Sequence, residues 1–178
     1  RLFLVFATRD PAMKVQMLGA AAADRASDFG RGAWRQLVDG PILRPELPWE
    51  RSCIEAASVC RRGDRLWMLY AGGYNNEPQQ IGAAWSLDGV SWTRLQDDPL
   101  LPNGAPGEWN SSESGHPGVF IDDDGSGHLF FQGNDDGGKT WRLSRMLLRF
   151  DGGRPRLVRA EDRRELPTQS PAEQPKGP

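Results

Sequence analysis

Carboxylates, amides and indoles recur at corresponding places in this 178-residue sequence. Carboxylates and amides pair with sugar hydroxyls, whereas an indole stacks on the apolar face of a sugar ring. Brought together around one depression, these groups would form a carbohydrate site. These residues fall into two sets. Those of the first set open or precede an apolar run: residues 49–50, 53–56 and 109–116. Those of the second set follow an apolar run: residues 8–10, 74–77 and 134–136.

Glu55 is the main candidate for acid–base chemistry. It follows Ile54 and leads into an apolar run, where loss of water contact would raise the pKa of its carboxyl, as a general acid requires. The alternative is a structural glutamate that accepts hydrogen bonds from loop amides. Glu113 is a rival acid, although its serine-rich surroundings are also typical of a polar loop. Asp10 could tune the acid or bind a hydroxyl, and a simple surface pair with Arg9 is the alternative.

His116 follows Glu55 by about one repeat of some sixty residues. It could contact substrate or bind a central cation or water, but a hydrogen-bonded core histidine is equally compatible with the sequence. One histidine does not make a metal site. Asn75 and Asn76 could bind sugar hydroxyls, but Asn-Asn pairs are also common in turns. The predicted catalytic residues are Glu55 and Asp10; the predicted substrate-binding residues are Arg9, Trp49, Asn75, Asn76, Gln80, Trp109, Asn110, Glu113 and His116, and His116 is also the candidate metal ligand.

The candidates recur because the sequence repeats about every sixty residues. Residues 1–7 match residues 65–71, and a third copy begins at residue 128. Residues 18–21 match residues 81–84, and the order of the elements is the same throughout. Each unit must therefore form the same local structure.

Each unit has the pattern of four short strands. The second unit predicts strands over 57–61, 66–71, 80–86 and 91–95, with tight turns around Gly63 and Gly89. Four-stranded antiparallel sheets repeated around an axis form a β-propeller. The alanine-rich residues 13–24 could suggest a helix, but the repeat places them on a third strand. The predicted fold class is therefore all-β, a β-propeller.

The repeat predicts about three blades: 1–48 without its first strand, 49–106 and 107–158. Residues 159–178 contain no aromatic residue and four prolines, a composition that predicts disorder. Closed propellers have about four to eight blades, so we expect this chain to be a fragment of a ring or to be completed by another chain. In such a ring, the start of each first strand and each loop between strands two and three lie on one face beside the axis, which brings the candidate residues together.

The composition restricts the partners. A net charge of −2 gives no basic surface for nucleic acid or an anionic membrane, and no apolar run approaches the ~20 residues of a membrane span. The two cysteines cannot make a disulfide framework. We expect an oligosaccharide or glycoside as partner, with no nucleic acid or membrane and no required cofactor; a central structural cation such as calcium is possible. The compartment and the oligomeric state are left open.

Two motifs resemble glycoside hydrolase family 43. Residues 54–70 resemble its acid-bearing blade, with Ala57 where that family usually has proline, and residues 114–120 followed by 122–125 resemble its Gly-His blade. The resemblance implies a five-bladed propeller, Glu55 as the general acid and His116 facing the central channel. It also implies two aspartates at positions before Arg1, so that the catalytic set is incomplete and the fragment itself inactive.

The resemblance implies a glycosidase acting on furanoside or pentose-type glycans, with inversion and carboxyls about 6.5–9.5 Å apart. Residues 9–11 together with Glu55 also resemble family 32, the retaining fructosidases, but Asp10 follows a second strand whereas that motif opens a first strand. Residues 134–141 resemble the Asp-box turn of sialidases in the wrong loop, which indicates coincidence. The remaining alternatives are a non-catalytic carbohydrate-binding propeller and a propeller that serves as a protein-interaction scaffold.

Overall fold

A computed structural model describes residues 1–159, and these form three antiparallel sheets of four or fewer strands. Single-turn 3-10 helices at Arg31–Ala33 and Pro48–Glu50 lie between strands. The first sheet contains β1 (Leu2–Arg9), β2 (Gln16–Ala23) and β3 (Arg35–Gln36); the second contains β4 (Ile54–Arg62), β5 (Arg65–Gly72), β6 (Gln80–Ser86) and β7 (Thr93–Arg94); the third contains β8 (Glu113–Ile121), β9 (Gly127–Asn134), β10 (Arg142–Asp151) and β11 (Arg154–Val158).

The four-strand pattern predicted from the repeat is confirmed in the second sheet. Strand β6 has the predicted bounds, whereas β7 is shorter than the predicted 91–95. The alanine-rich segment forms β2 and not a helix. Strand order in each sheet follows the chain, as in a propeller blade. The number of blades in a complete ring and the blade boundaries stay predictions, and the predicted disorder falls from residue 160 onward, outside the described residues.

Small residues and glycines let the sheets form and pack closely. Gly63 has a φ of 62° in the two-residue turn between β4 and β5, a conformation that costs glycine little. On β2, a Cβ at Gly19 would lie 2.7 Å from the Phe6 ring. The phenyl ring therefore lies directly over the backbone of the neighbouring strand.

Two apolar clusters join the three sheets. Leu18, Ile54 and Met68 belong to a cluster that links the first sheet to the second, and Leu69, Leu129 and Phe131 belong to one that links the second to the third. The first strands of the second and third sheets are also neighbours, because Val119 N donates a hydrogen bond of 2.9 Å to Ser58 Oγ. The three sheets therefore lie side by side, with β4 in contact with β1 on one side and with β8 on the other. Within the described residues, no helix is long and apolar enough to cross a membrane.

Candidate functional site

Matching β-bulges place Glu55 and His116 at the same end of neighbouring strands. The pairing of β4 with β5 shifts register between Glu55 and Ser58, and that of β8 with β9 shifts between Gly115 and Gly118. Within these bulges Ala56 and His116 have left-handed φ values of 49° and 48°. A bulge turns side chains away from the regular alternation of a strand. The two bulges thus bring Glu55 and His116 together across the junction of two sheets.

The Glu55 carboxylate contacts three side chains from different parts of the fold. Gln16 Nε2 donates a hydrogen bond of 2.5 Å to Oε2, and Gln79 Nε2 donates one of 2.9 Å to Oε1. His116 Nε2 lies 3.5 Å from Oε1. The Glu55 side chain keeps 21% of its surface exposed and the His116 side chain keeps 37%. A molecule from solvent can therefore reach both groups.

The expected rise in the pKa of Glu55 is wrong for this arrangement. The hydrogen bond from His116 has the largest effect and lowers the pKa; burial acts in the opposite direction, but the bonds from Gln79 and Gln16 add to the lowering. The hydrogen bond to Glu55 likewise raises the pKa of His116. The pair therefore favours an ionised carboxylate beside a histidine that holds its proton.

The third sheet fixes the orientation of His116. The Gln132 amide nitrogen, on β9, contacts His116 Nδ1. When His116 is protonated both ring nitrogens donate, so the Gln132 amide turns its oxygen toward Nδ1–H while Nε2–H faces Glu55. Because both ring nitrogens have protein partners, a cation could bind His116 only by displacing Gln132 or Glu55.

Glu113, the predicted rival acid, is completely buried next to this pair. Its Oε2 accepts a hydrogen bond from Asn76 N, in the loop between β5 and β6. Burial raises the pKa of Glu113, although the bond from Asn76 opposes the shift. Glu113 thus holds the loop that carries Gln79, and it has the raised pKa that was expected for Glu55.

Two buried oxygens beside the pair lack hydrogen-bond partners, Gln79 Oε1 and Glu113 Oε1. Oxygen atoms of this kind suit a water molecule or a hard cation such as calcium. The described residues contain no group of three or more His, Cys, Asp or Glu side chains that could hold a metal. A cation at these oxygens would therefore take most of its ligands from water.

Arg9 is the last residue of β1 and Asp10 follows it, and their side chains have different surroundings. The Arg9 guanidinium lies 5.6 Å from the centre of the Tyr74 ring. Asp10 Oδ1 accepts hydrogen bonds of 2.7 and 2.8 Å from the amides of Lys14 and Val15, and the bond from Val15 has the largest share in lowering its pKa. Through these bonds Asp10 stabilises the loop after β1. The catalytic role of Asp10 stays a prediction.

Trp49 and Trp109 are half-buried and pack on aromatic residues, and their contact with sugar stays a prediction. Trp49 stacks on Tyr70 with 5.9 Å between ring centres, and its indole nitrogen donates to the Asp97 carbonyl. Trp109 packs on Phe131 with 5.7 Å between ring centres. Sequence shows the indoles at matching positions but not that the sheet lies directly beneath them.

The remaining predicted residues lie around the loops. Asn110 is buried and donates from Nδ2 to Ser114 Oγ, and Gln80 accepts a hydrogen bond from Asn103 N; these bonds stabilise the loops, and contact of either residue with substrate stays a prediction. Asn75 and Asn76 are exposed, and Asn76 has a left-handed φ of 65° that is typical of a turn. Contact of the two asparagines with substrate stays a prediction.

Sequence analysis missed the three glutamines that surround the pair, Gln16, Gln79 and Gln132. Adjacent residues of an extended segment point to opposite faces, so the choice between Gln79 and Gln80 depends on the phase of β6. The sequence does not fix that phase, because both parities are buried: Ile81 and Ala83 share the parity of Gln79, and Ala84 shares that of Gln80. Gln16 reaches Glu55 from another sheet, and Gln132 reaches His116 from the neighbouring strand of the same sheet. The sequence shows neither contact.

Comparison with known proteins identifies the fold. No family model matches the sequence, and no curated protein matches it. The chain is similar to a thermostable family-43 glycoside hydrolase, with 16% identity and a TM-score of 0.69 over 99% of this chain and 57% of that one. It is similar to an α-L-arabinofuranosidase from Lactobacillus brevis, with 19% identity and a TM-score of 0.62 over 89% and 52%. It is also similar to an endo-1,4-β-xylanase from Bacteroides thetaiotaomicron, with 16% identity and a TM-score of 0.58 over 86% and 57%.

These structures are family-43 and related glycoside hydrolases, which confirms the resemblance inferred from the motifs at the level of fold. The chain spans little more than half of their length.

Proposed function

We propose that the full-length protein is a glycoside hydrolase in which Glu55 protonates the leaving oxygen of a furanoside or pentose-type glycoside. The observation that carries this proposal is the pair of Glu55 Oε1 and His116 Nε2, 3.5 Å apart and open to solvent. The similar structures support it, since their names include an α-L-arabinofuranosidase and an endo-1,4-β-xylanase, enzymes named for pentoses.

The lowered pKa of Glu55 requires that the acid be formed when substrate binds. In the free site the opposite pKa shifts favour an ionised Glu55 carboxylate beside a protonated His116. A sugar that excludes water would disfavour two separate charges, and a proton moved from His116 Nε2 to Glu55 Oε1 leaves both groups neutral. Glu55 could then donate that proton to the glycosidic oxygen, while Gln16 and Gln79 hold the carboxyl in place.

The second carboxylate of the mechanism would come from outside the described residues. An aspartate about 6.5–9.5 Å from Glu55 would activate water on the opposite face of the sugar and invert the anomeric centre. A separation of about 5–5.5 Å would instead give retention, as in the family 32 alternative. We therefore propose that residues 1–178 alone lack hydrolytic activity.

The test is turnover by the full-length protein of aryl arabinofuranosides, xylosides, galactosides and fructosides. Removal of a general acid costs about 10²–10⁴ in rate, so we expect Glu55→Gln to lose activity on this scale while it stays folded. Asp123→Asn, which changes an exposed turn at the far end of β8, serves as the matched control and should keep full activity. Full activity in Glu55→Gln would overturn the proposal, and the anomer formed first, followed by NMR, distinguishes inversion from retention.

A second candidate is a non-catalytic carbohydrate-binding propeller. The lowered pKa of Glu55 favours it, because a carboxylate that stays ionised has no proton to give to a leaving group. It predicts no turnover by the wild type and unchanged sugar affinity in Glu55→Gln.

A further inference from the structure

Arg9 lies directly beside the residue that binds the Glu55 carboxylate. In the antiparallel pairing of β1 with β2, Arg9 is the cross-strand partner of Gln16. Directly opposed side chains share a face of the sheet, with Cβ atoms about 5 Å apart. Since Gln16 Nε2 donates to Glu55 Oε2, the Arg9 side chain leaves the sheet next to the amide that binds the carboxylate.

Tyr74 gives the guanidinium a fixed platform. The Arg9 Cζ atom lies 5.6 Å from the centre of the Tyr74 ring, and Tyr74 belongs to the β5–β6 loop that ends at Gln79. A ring under the face of a guanidinium leaves its five N–H donors, which point outward in its plane, free to bind a ligand. Within the described residues, the Arg9 guanidinium has no ion pair or hydrogen bond, and the residue is exposed.

The nearby carboxylates have other donors. Glu55, Glu77 and Arg9 all act on the thiol of Cys53 between them, whose pKa is raised to about 12, chiefly by burial. Glu55 accepts from Gln16, and Glu77 Oε2 accepts from Tyr74 N at 3.3 Å. The positive charge of Arg9 therefore stays available to a molecule that enters from solvent.

We propose that Arg9 and Tyr74 form a subsite for the carboxylate of a uronic acid, next to the sugar that Glu55 contacts. The planar guanidinium fork matches a carboxylate with two parallel hydrogen bonds. A neutral pentose offers no partner for this charge. The inference rests on one part of the proposed function, namely that this end of the sheets binds sugar.

The experiment compares charged and uncharged forms of the same sugar in a binding assay that does not depend on turnover. Ligand-observed NMR would measure the affinity of the full-length protein for D-glucuronate and D-galacturonate, beside D-glucose and D-galactose. A charge pair at an exposed position corresponds to about fivefold in affinity. We expect this advantage for at least one uronate in the wild type, its loss in Arg9→Met and part of it in Arg9→Lys, which keeps the charge but not the fork.

Arg65→Met is the matched control. Arg65 also stacks on an aromatic ring, 4.4 Å from the centre of Trp85, but it begins β5 at the end of the sheet away from Glu55. This variant should keep the full preference. Equal affinity for uronates and neutral sugars, or a preference that survives in Arg9→Met, would overturn the inference. Turnover of neutral glycosides would still test the proposed function separately, and a uronate preference in a protein without turnover would leave the subsite standing.

Discussion

Replacement of Arg94 by methionine should destabilise the fold, because it leaves the buried Glu50 carboxylate without its positively charged partner. The Glu50 carboxylate has no exposed surface. Arg94 donates to both of its oxygens, at 2.9 and 2.8 Å, and Tyr70 donates from its hydroxyl at 2.7 Å. Burial alone would raise the pKa of Glu50, but the bond from Arg94, those from the amides of Leu47 and Glu46 and that from Tyr70 together lower it.

Breaking a buried ion pair from one side costs about 3–5 kcal/mol, so Arg94→Met should lower the free energy of unfolding at pH 7 by that amount. Tyr70→Phe removes one hydrogen bond to a charged group and should cost about 1.5–3 kcal/mol. The double variant Glu50→Gln with Arg94→Met should be more stable than Arg94→Met alone, because the buried charge is gone. The assay is chemical denaturation of the full-length protein.

The dependence on pH supplies the sharpest check. In the wild type the pKa of Glu50 is below 4.5, so its stabilising effect is complete above that pH and is lost as the pH falls through the folded-state value. Without Arg94, burial should raise the pKa above 4.5, so that protonation relieves the penalty. The difference in the free energy of unfolding between wild type and Arg94→Met should therefore narrow as the pH falls. A gap that stays constant or widens would refute this reasoning.

Three further predictions concern the site. His116→Asn should remove the residue that holds the transferred proton, so that Glu55 must carry it alone and the alkaline limb of the pH–rate profile should move to lower pH; an unmoved limb with normal folding would contradict the role of His116. Gly115→Ala should reduce affinity for sugar, because the new Cβ would overlap the Gln79 side chain, whereas Gly32→Ala, which meets nothing within 4 Å, should behave as wild type. Glu113→Gln should abolish the loss of stability that the raised pKa of Glu113 causes as the pH rises above 4.5; unfolding curves that keep the same pH dependence would contradict it.

The sequence contained most of the information on the fold. Repetition of the aromatic run 1–7 at residues 65–71 predicted matching strands, and the alanine-rich β2 followed from the same alignment. Glu55 and His116 could be paired in advance because each opens a first strand. The predicted strands and the predicted pairing both follow from the repeat along the sequence.

The details of the site depend on contacts between sheets and were not predictable. The pKa of Glu55 is lowered by His116, Gln79 and Gln16, and the sequence alone shows only the apolar neighbours of Glu55. Glu113 resembled a polar loop residue but is fully buried. For Trp49 and Trp109, the sequence did not show the aromatic residues on which they pack, Tyr70 and Phe131.

The central claim is that Glu55 supplies the proton for cleavage of a glycosidic bond. The most direct measurement compares full-length wild type, Glu55→Gln and Asp123→Asn on an aryl glycoside and on its analogue with an activated leaving group. We expect Glu55→Gln to lose about 10²–10⁴ on the poor leaving group and far less on the activated one, which needs no protonation, while Asp123→Asn matches wild type on both. Equal losses on the two substrates, or no loss at all, would contradict the account.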